Sequence, residues 1–287
     1  MKKKILLYTL LGITLVWSCS KSSDDTPGPT SVDKSANLLA TGASASDILG
    51  NANFDRLLIE VAHVNGFRPT DATMDNFEAF LRERTFKTDI EFTFNALPSP
   101  GEETLTLQEI ADLESDNRTA YNSGNTLAIY IYFANAPSDD DDENEGLVTL
   151  GAVYRNTSMI IYESTIRNLA GQSNLVSVTD IESATLNHEF GHLFGLVNLG
   201  TPAVNNHEDP DAENHCNVQG CLMRAELQFG ATNKSSSLIS KSELQSACHL
   251  SGMGMMKLLQ QQVSKGLPVV PVLDSECVLD LQNNGGR

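Results

Sequence analysis

The segment from Thr179 to Val197 has the pattern of a helix that packs closely against a core. Thr179 and Glu182 are spaced as a capping box, an arrangement typical of helix N-termini. One apolar residue per turn then follows at helical spacing, at Leu186, Phe190, Leu193 and Val197. The apolar stripe must pack against a core, and the same helix also carries several ionisable residues. A chain with this segment must therefore fold around a helix that is both apolar and ionisable.

Those groups form the sequence His188-Glu189-Phe190-Gly191-His192, an HExxH motif. Histidines four residues apart on a helix project from one face, close enough to share a metal ion. Two imidazoles and a third protein ligand leave zinc an open position for water, and zinc lowers the pKa of that water towards about 7. A neighbouring carboxylate can then take its proton. The motif therefore predicts a Zn²⁺ site with His188 and His192 as ligands and Glu189 as general base, which is chemistry suited to peptide hydrolysis.

The rest of the chain alternates between strand and helix patterns. Apolar runs predict strands at residues 57–64, 90–94 and 127–133, and a hairpin from residues 148–154 and 159–162. Helical spacing predicts helices at residues 71–84 and 107–113. Strands that alternate with helices and then pair locally indicate the α+β class, with a mixed sheet and helices packed on it in one domain.

The N-terminus has the features of a bacterial lipoprotein signal. Three lysines precede a short apolar run, and Ser18-Cys19 follows it, similar to a lipobox. We expect residues 1–18 to be a signal peptide, residues 19–34 a flexible tether and residues 35–287 the folded domain. Cys19 would carry the lipid that anchors the exported protein to a bacterial membrane. The acidic start of the tether, at residues 22–25, resembles export signals of some outer-membrane surface lipoproteins, which favours display on the cell surface.

Export affects how the cysteines are interpreted, because disulfides persist outside the cytoplasm. With Cys19 assigned to lipid, Cys216, Cys221, Cys248 and Cys277 remain. Of the three pairings, we favour Cys216 with Cys221, which closes a short local loop, and Cys248 with Cys277. A structural zinc held by all four cysteines is the alternative. Such sites usually contain paired CxxC spacings, which Cys248 and Cys277 lack.

Two further features carry a family resemblance. Gly195 extends the motif to HExxHxxG, which resembles the metzincin zinc peptidases. His215-Cys216, followed after four residues by Cys221-Leu222-Met223, looks like the archaemetzincin signature displaced by an insertion. The resemblance implies that His215 is the third zinc ligand and Met223 the Met-turn residue beneath the metal.

The resemblance also implies a fold. Metzincin catalytic domains contain a mixed, twisted sheet with an antiparallel edge strand, an active-site helix behind it, and a small C-terminal subdomain ending in a helix. Ser240 and Glu243 form a second possible capping box, so residues 240–262 are the candidate for that last helix.

The third zinc ligand remains open on chemical grounds. In typical metzincins a His or Asp lies three residues after the glycine, but here Asn198 holds that position, and a neutral amide binds zinc weakly. His215 is the favoured candidate and His207 its main competitor. A carboxylate from Asp209 or Asp211 is a further alternative.

Charge and motif together leave two functional hypotheses. With 19 Lys and Arg against 37 Asp and Glu, the net charge is −18, so nucleic acid is a poor partner. The favoured hypothesis is a zinc metalloendopeptidase whose peptide or protein substrate adds along a sheet edge within residues 148–162. The alternative is a surface lipoprotein that binds a partner or glycan and keeps a structural or vestigial metal site. The presence of Glu189 favours the enzyme, because a structural site needs no base.

Overall fold

The computed structural model describes residues 32–142, 148–224 and 252–287. Contacts divide the chain after Val32, and Asp33–Arg287 form one compact unit. The predicted signal peptide, most of the predicted tether, Cys19 and Cys248 lie outside the described residues. In the described part of the chain, no helix has the length and apolar character needed to cross a membrane.

The centre of the compact unit is a five-stranded mixed sheet in the order β2-β1-β3-β5-β4. Its strands are β1 (Arg56–Val64), β2 (Asp89–Leu97), β3 (Thr126–Phe133), β4 (Gly151–Arg155) and β5 (Ser158–Ile161). Strand β1 runs parallel to β2 and β3, and β3 runs parallel to β5. Strand β4 pairs antiparallel with β5 and lies at the edge of the sheet. The predicted mixed sheet with an antiparallel edge hairpin is confirmed.

Helices cover both faces of this sheet. After a short 3₁₀ helix at Ser35–Leu38 they are α1 (Ala45–Leu49), α2 (Asp71–Arg84), α3 (Leu107–Asn117), α4 (Glu163–Gly171), α5 (Val178–Leu193), α6 (Gly252–Ser264) and α7 (Ser275–Asn283). Alternate residues of a strand point to opposite faces. In β3, Ile129 and Ile131 therefore join the larger core, which contains α2 and α5, while Tyr130 and Tyr132 join the smaller core beside α3.

Helix α5 begins differently from the prediction. Its capping box is formed by Ser177 and Asp180 instead of Thr179 and Glu182. Ser177 Oγ accepts from the Asp180 backbone N–H, and the Asp180 carboxylate accepts from the Ser177 N–H. Glu182 is buried and accepts hydrogen bonds from Thr70 and Thr73, so it is not available to cap the helix. Two overlapping capping patterns occur in the sequence, and burial of Glu182 decides between them.

The C-terminal region also differs from the prediction. Helix α6 overlaps the predicted residues 240–262, but the proposed cap at Ser240 and Glu243 lies outside the described residues. The last helix is α7, which was not predicted. It begins after Asp274, whose Oδ1 accepts from two backbone N–H groups of the first turn. With nine residues, α7 is too short to give clear apolar periodicity.

A pair of buried carboxyl groups joins α4 to α5. Glu163 and Glu182 are both fully buried. Burial, reinforced by the nearby Glu182 charge, raises the pKa of Glu163 to about 9 from an ordinary value of 4.5. A hydrogen bond of 2.6 Å from Arg167 Nε to Glu163 Oε1 opposes this rise only in part. At neutral pH Glu163 therefore holds a proton in the folded state, which allows two carboxyl groups to share one buried site.

We predict that Glu163→Gln flattens the dependence of stability on pH. In the folded wild-type protein Glu163 keeps a proton that the unfolded chain releases, so the free energy of unfolding falls as pH rises from 4.5 to about 9. Glutamine preserves the shape without this titration. Denaturant unfolding at several pH values measures the slope, with Glu91→Gln, at an exposed carboxylate of β2, as control. An unchanged slope in the Glu163 variant would contradict the assignment of the proton.

Candidate metal centre

Three histidines from two elements meet beside the sheet. Helix α5 supplies His188 and His192. His215 comes from β7 (Ala212–Cys216), which forms a small antiparallel hairpin with β6 (Glu208–Asp209). One ring nitrogen from each histidine lies within 4.8 Å of the other two. The Nε2 atoms of His188 and His192 are 3.2 Å apart, and all three side chains are buried. The structure therefore brings His215 to the HExxH pair.

Backbone carbonyls orient two of these rings. His188 Nδ1 lies 2.7 Å from the Leu222 carbonyl oxygen, and His215 Nδ1 lies 2.8 Å from the Glu213 carbonyl oxygen. A carbonyl oxygen only accepts hydrogen bonds, so in the neutral ring each Nδ1 carries the hydrogen and donates it. Each Nε2 then keeps its lone pair, which is the arrangement that metal-binding histidines use.

The surroundings keep the rings of His188 and His192 uncharged. Burial, together with the nearby His215, lowers the pKa of His188 to about 3, although the Leu222 carbonyl opposes the shift. Burial and the two neighbouring histidines lower the pKa of His192 well below its ordinary value. Neutral imidazole is the form that binds a metal ion, so His188 and His192 are in the ligand state.

The spacing of the rings fits a zinc ion. Four ligands at about 2.0–2.1 Å from zinc in a tetrahedron are about 3.3 Å apart, close to the separation between His188 and His192 Nε2. Three imidazole nitrogens are a donor set that zinc accepts, and they leave its fourth position open. The HExxH pair therefore has the spacing that zinc requires, and the three histidines together supply suitable donor atoms.

Glu189 lies on the same helix, between the helix and the edge strand. Its side chain is fully buried, and a Cβ added to Gly151 of β4 would lie 2.9 Å from Glu189 Cγ. Glycine at this position therefore allows the carboxylate to fit against β4. Burial raises the pKa of Glu189 well above its ordinary value, and a hydrogen bond from the Val153 backbone lowers it only in part.

Met223 packs beneath the motif. A Cβ on Gly191 would overlap Met223 Sδ, so the methionine occupies the space that the glycine leaves free on the underside of α5. Met223 is fully buried, and its carbonyl oxygen accepts a 2.7 Å hydrogen bond from the Cys216 N–H. The predicted Met-turn residue thus lies under the helix and is connected to the strand that carries His215.

Gly195 and Asn198 take the chain out of α5. Gly195 has a φ of 71° and its Cβ position would lie 2.7 Å from the Thr201 backbone nitrogen, so only glycine fits this turn. Asn198 also has a positive φ, of 68°, and its side-chain Nδ2 donates to Glu208 at 2.7 Å. The residue at the usual metzincin ligand position therefore stabilises the turn and the start of the β6–β7 hairpin.

The other candidates for the third ligand lie elsewhere. His207 Nε2 is 2.8 Å from Asp280 Oδ2, and its Nδ1 is 3.3 Å from Cys216 Sγ. His207 belongs to a second group of possible donors, formed with Cys216, Asp274 and Cys277. Asp209 accepts a hydrogen bond from the Asp211 backbone in the hairpin turn, and neither residue joins the three histidines.

The cysteines do not adopt the favoured pairing. Cys216, Cys221 and Cys277 are buried and free, so the expected bond between Cys216 and Cys221 is not formed. Cys221 Sγ instead lies 3.7 Å from Cys277 Sγ, and the other expected partner, Cys248, is outside the described residues. Asp274, which bonds Cys216, and Asp280, which bonds His207, were not identified from the sequence. They lie far downstream, one as the N-cap of α7 and one within it, and α7 has no motif of its own.

Comparison with solved structures gives two remote similarities. The archaemetzincin from Methanopyrus kandleri aligns with a TM-score of 0.44 and 14% identity, covering 80% of this chain and 96% of that protein. Metalloproteinase-II from Bacteroides fragilis aligns with a TM-score of 0.33 and 14% identity, covering 61% of this chain and 48% of that protein. No protein-family model and no curated protein matches the chain.

We predict that His215→Ala weakens zinc binding more than about a hundredfold, as His192→Ala should, because each change removes a direct ligand. His207→Ala should leave zinc at this site, because His207 bonds Asp280 and Cys216 instead. Competition with a chromophoric chelator measures the affinity, and mass spectrometry of metals measures the stoichiometry. Loss of this zinc in the His207 variant, with retention in the His215 variant, would show that the third ligand is misassigned.

Proposed function

We propose that this protein is a zinc-dependent metalloendopeptidase. The observation that carries the proposal is the convergence of the His188, His192 and His215 imidazoles beside Glu189, with one ring nitrogen of each within 4.8 Å of the other two. A tight zinc site needs three such donors, and hydrolysis needs an adjacent base. At this site the three histidines supply the donors and Glu189 supplies the base.

His188, His192 and His215 are proposed to hold the zinc ion through Nε2. The Leu222 and Glu213 carbonyls fix two of the rings, so little side-chain freedom is lost when the metal binds. Met223 supports the helix from below and does no chemistry. A bound zinc ion would acidify water and polarise the carbonyl of the peptide to be cleaved.

Glu189 is proposed to move the proton. Its carboxylate takes a proton from the attacking water as the carbon–oxygen bond forms, and then delivers it to the departing amine as the carbon–nitrogen bond breaks. The water proton thus ends on the new amino terminus and Glu189 returns to its starting state. The position of Glu189 against β4 keeps it between the histidines and the sheet edge.

The substrate is proposed to be an extended peptide that lies along β4. This strand is the edge of the sheet, and Gly151 within it packs directly against Glu189. An extended peptide can add to a sheet edge by main-chain hydrogen bonds, which select conformation over side-chain identity. A peptide aligned in this way would present its carbonyl groups near the proposed metal.

The alternative of a binding lipoprotein with a structural metal site explains the histidines but not Glu189. A buried carboxylate costs free energy unless it has a partner or a task. The Val153 backbone is close enough to offset part of this cost, but in the described part of the chain neither carboxylate oxygen of Glu189 forms a hydrogen bond of good geometry. A purely structural zinc site would be more stable with an apolar residue there.

We predict that Glu189→Gln retains zinc and loses activity. The amide has nearly the same shape but cannot accept and return a proton, so kcat should fall by about 10²–10⁴-fold. Cleavage of a quenched fluorescent peptide library, with metal content measured on the same samples, tests this. Thr185→Ser, a conservative change one turn earlier on α5, is the control. Wild-type cleavage rates in the Gln variant would contradict the proposed base.

Export and lipid anchoring at Cys19 are part of the same proposal. They are supported by the lysine-rich start, the apolar run and the Ser18-Cys19 dipeptide. Firm attachment to a membrane needs more than one acyl chain, which a lipoprotein cysteine carries. The acidic residues that follow favour display on the outer surface of the cell.

We predict that Cys19→Ser moves the protein from the membrane fraction to the soluble fraction, because no acyl chain can then be attached. Fractionation with metabolic labelling by a fatty acid analogue measures both effects, and Ser20→Ala is the matched control. Unlabelled wild-type protein found wholly in the soluble fraction would contradict the anchor.

A further inference from the structure

We propose that the substrates of this protein are cationic peptides, and that Asp209 and Glu213 of the β6–β7 hairpin bind a lysine or arginine side chain of the peptide. This inference rests on the proposed peptidase function and names its substrate class. It starts from the distribution of charge along the chain. The chain has 19 Lys and Arg, but residues 119–154 and 168–223 contain none of them. These two segments supply β3, most of β4, α5 and the hairpin, which are the elements around the three histidines.

The β6–β7 hairpin forms the first acidic wall of the site. Glu213 lies two residues before His215, and its carbonyl oxygen is 2.8 Å from His215 Nδ1. A cleft of about 440 Å³ opens in the hairpin and is lined by Asn206, Glu208, Asp209, Pro210 and Glu213. Three of these five side chains are carboxylates. The acidic cleft therefore adjoins a proposed zinc ligand.

Two of these three carboxylates keep oxygen atoms for a ligand. Glu208 uses both oxygens within the protein, because it accepts from Asn198 Nδ2 and from a backbone N–H of β7. Asp209 Oδ1 accepts from the Asp211 N–H at 3.0 Å, while its Oδ2 has no hydrogen bond in the described residues. The Glu213 side chain is exposed. An ammonium or guanidinium group has the charge and the N–H donors that such oxygens bind best.

The segment that leads into β4 forms the second acidic wall. Residues 139–142 are four consecutive aspartates. Asp141 Oδ1 accepts from the Thr149 N–H at 2.7 Å, and Thr149 lies two residues before Gly151, which packs against Glu189. This hydrogen bond holds an acidic segment at the start of the edge strand along which the peptide is proposed to lie.

The basic residues that flank the two segments bind other groups. Arg118 and Arg155 both pair with Glu114 of α3, at 2.8 and 3.1 Å. Arg167 pairs with a carboxyl group of α4, and Arg224 donates to a backbone carbonyl just after β7. Among the residues that the structure describes, no Lys or Arg forms an ion pair with the hairpin cleft. A cation that neutralises the cleft would therefore come from a bound molecule.

Glu189 gives independent evidence that a ligand completes the site between these walls. Its side chain is fully buried, and neither carboxylate oxygen forms a hydrogen bond of good geometry in the described part of the chain. Buried polar atoms in folded proteins usually have partners, so a bound molecule is expected here. Acidic walls around such a site attract a cationic peptide and repel an anionic one.

The test compares matched peptides on the zinc-loaded full chain. A sequence that the wild-type protein cleaves is taken from a peptide library and resynthesised with Lys, Gln or Glu at each of the positions near the cleaved bond. At one or more positions we expect kcat/KM to be about tenfold higher with Lys than with Glu, and intermediate with Gln. The difference should shrink as salt rises from about 0.05 M to about 0.5 M, because salt screens exposed charges.

The double variant Asp209→Asn/Glu213→Gln removes two charges and preserves the shapes of the side chains. It should lower the ratio of kcat/KM between the Lys and Glu peptides to about 2 or less. The matched control is Asp112→Asn/Asp116→Asn, at exposed carboxylates of α3 on the opposite face of the sheet, which should keep the wild-type ratio. Equal rates for the Lys and Glu peptides in the wild-type protein would overturn the proposal. So would a ratio that the hairpin variant leaves unchanged.

Binding measurements separate this inference from the proposed function. Zinc-loaded Glu189→Gln protein should bind the labelled Lys peptide more tightly than the Glu peptide in fluorescence anisotropy, and the hairpin substitutions should remove that preference. If the wild-type protein cleaves no peptide but this binding preference is found, the peptidase proposal fails and the recognition of cations stands. If the Lys, Gln and Glu peptides are cleaved at equal rates, the peptidase proposal stands and the recognition of cations is wrong.

Discussion

The structure depends on the burial of helix α5 after its first turn. Every residue from Ile181 to Leu193 is buried, including two histidines and a glutamate. Helices that are enclosed on all sides usually carry apolar residues, because an unpaired buried polar group costs about 1–3 kcal/mol. The polar groups of α5 must therefore find partners within the protein or in a bound ligand. His192 illustrates the need, since its Nδ1 is buried without a hydrogen-bond partner in the described part of the chain.

Much of that support comes from one short segment, Cys221-Leu222-Met223. The Leu222 carbonyl oxygen fixes the ring of His188, and Met223 fills the space under Gly191. The same segment bonds the strand that carries His215, through the Met223 carbonyl oxygen, and the region before α7, through the Leu222 N–H. A local stretch of backbone thus connects the helix, the hairpin and the C-terminal helix. Rigid support of this kind keeps metal ligands in position when a metal is absent.

Sequence reasoning predicted those features that depend on local patterns. The strands and the helices α2, α3 and α5 follow from periodicity, and the HExxH motif fixes the relation between His188, Glu189 and His192 by helix geometry alone. Features that depend on tertiary contacts were harder to predict. The capping box shifted because Glu182 is buried against Thr70 and Thr73, and the thiol neighbours differ because α7 brings Cys277 to Cys221.

Local sequence patterns did not decide between His207 and His215 as the third zinc ligand. Both histidines follow the motif in an acidic insertion, and chemistry alone ranks them as equal zinc ligands. The buried carboxylate of Asp280 distinguishes the two histidines. It forms a hydrogen bond with His207, although it lies in a helix more than seventy residues downstream. No local pattern contains that contact. The resemblance of His215-Cys216 and Cys221-Leu222-Met223 to a known signature was the only sequence feature that favoured His215.

Strand alternation explains how two neighbouring residues serve different environments. His215 and Cys216 are consecutive in β7, so their side chains leave the strand on opposite faces. His215 therefore turns towards His188 and His192, while Cys216 turns towards His207 and Asp274. A slip of one residue would exchange the two faces and place a thiol among the imidazoles. The pairing of Glu208 with Cys216 and the 2.7 Å bond from the Cys216 N–H to the Met223 carbonyl oxygen hold this register. The register of the β6–β7 hairpin thus places His215 with His188 and His192, and Cys216 with His207 and Asp274.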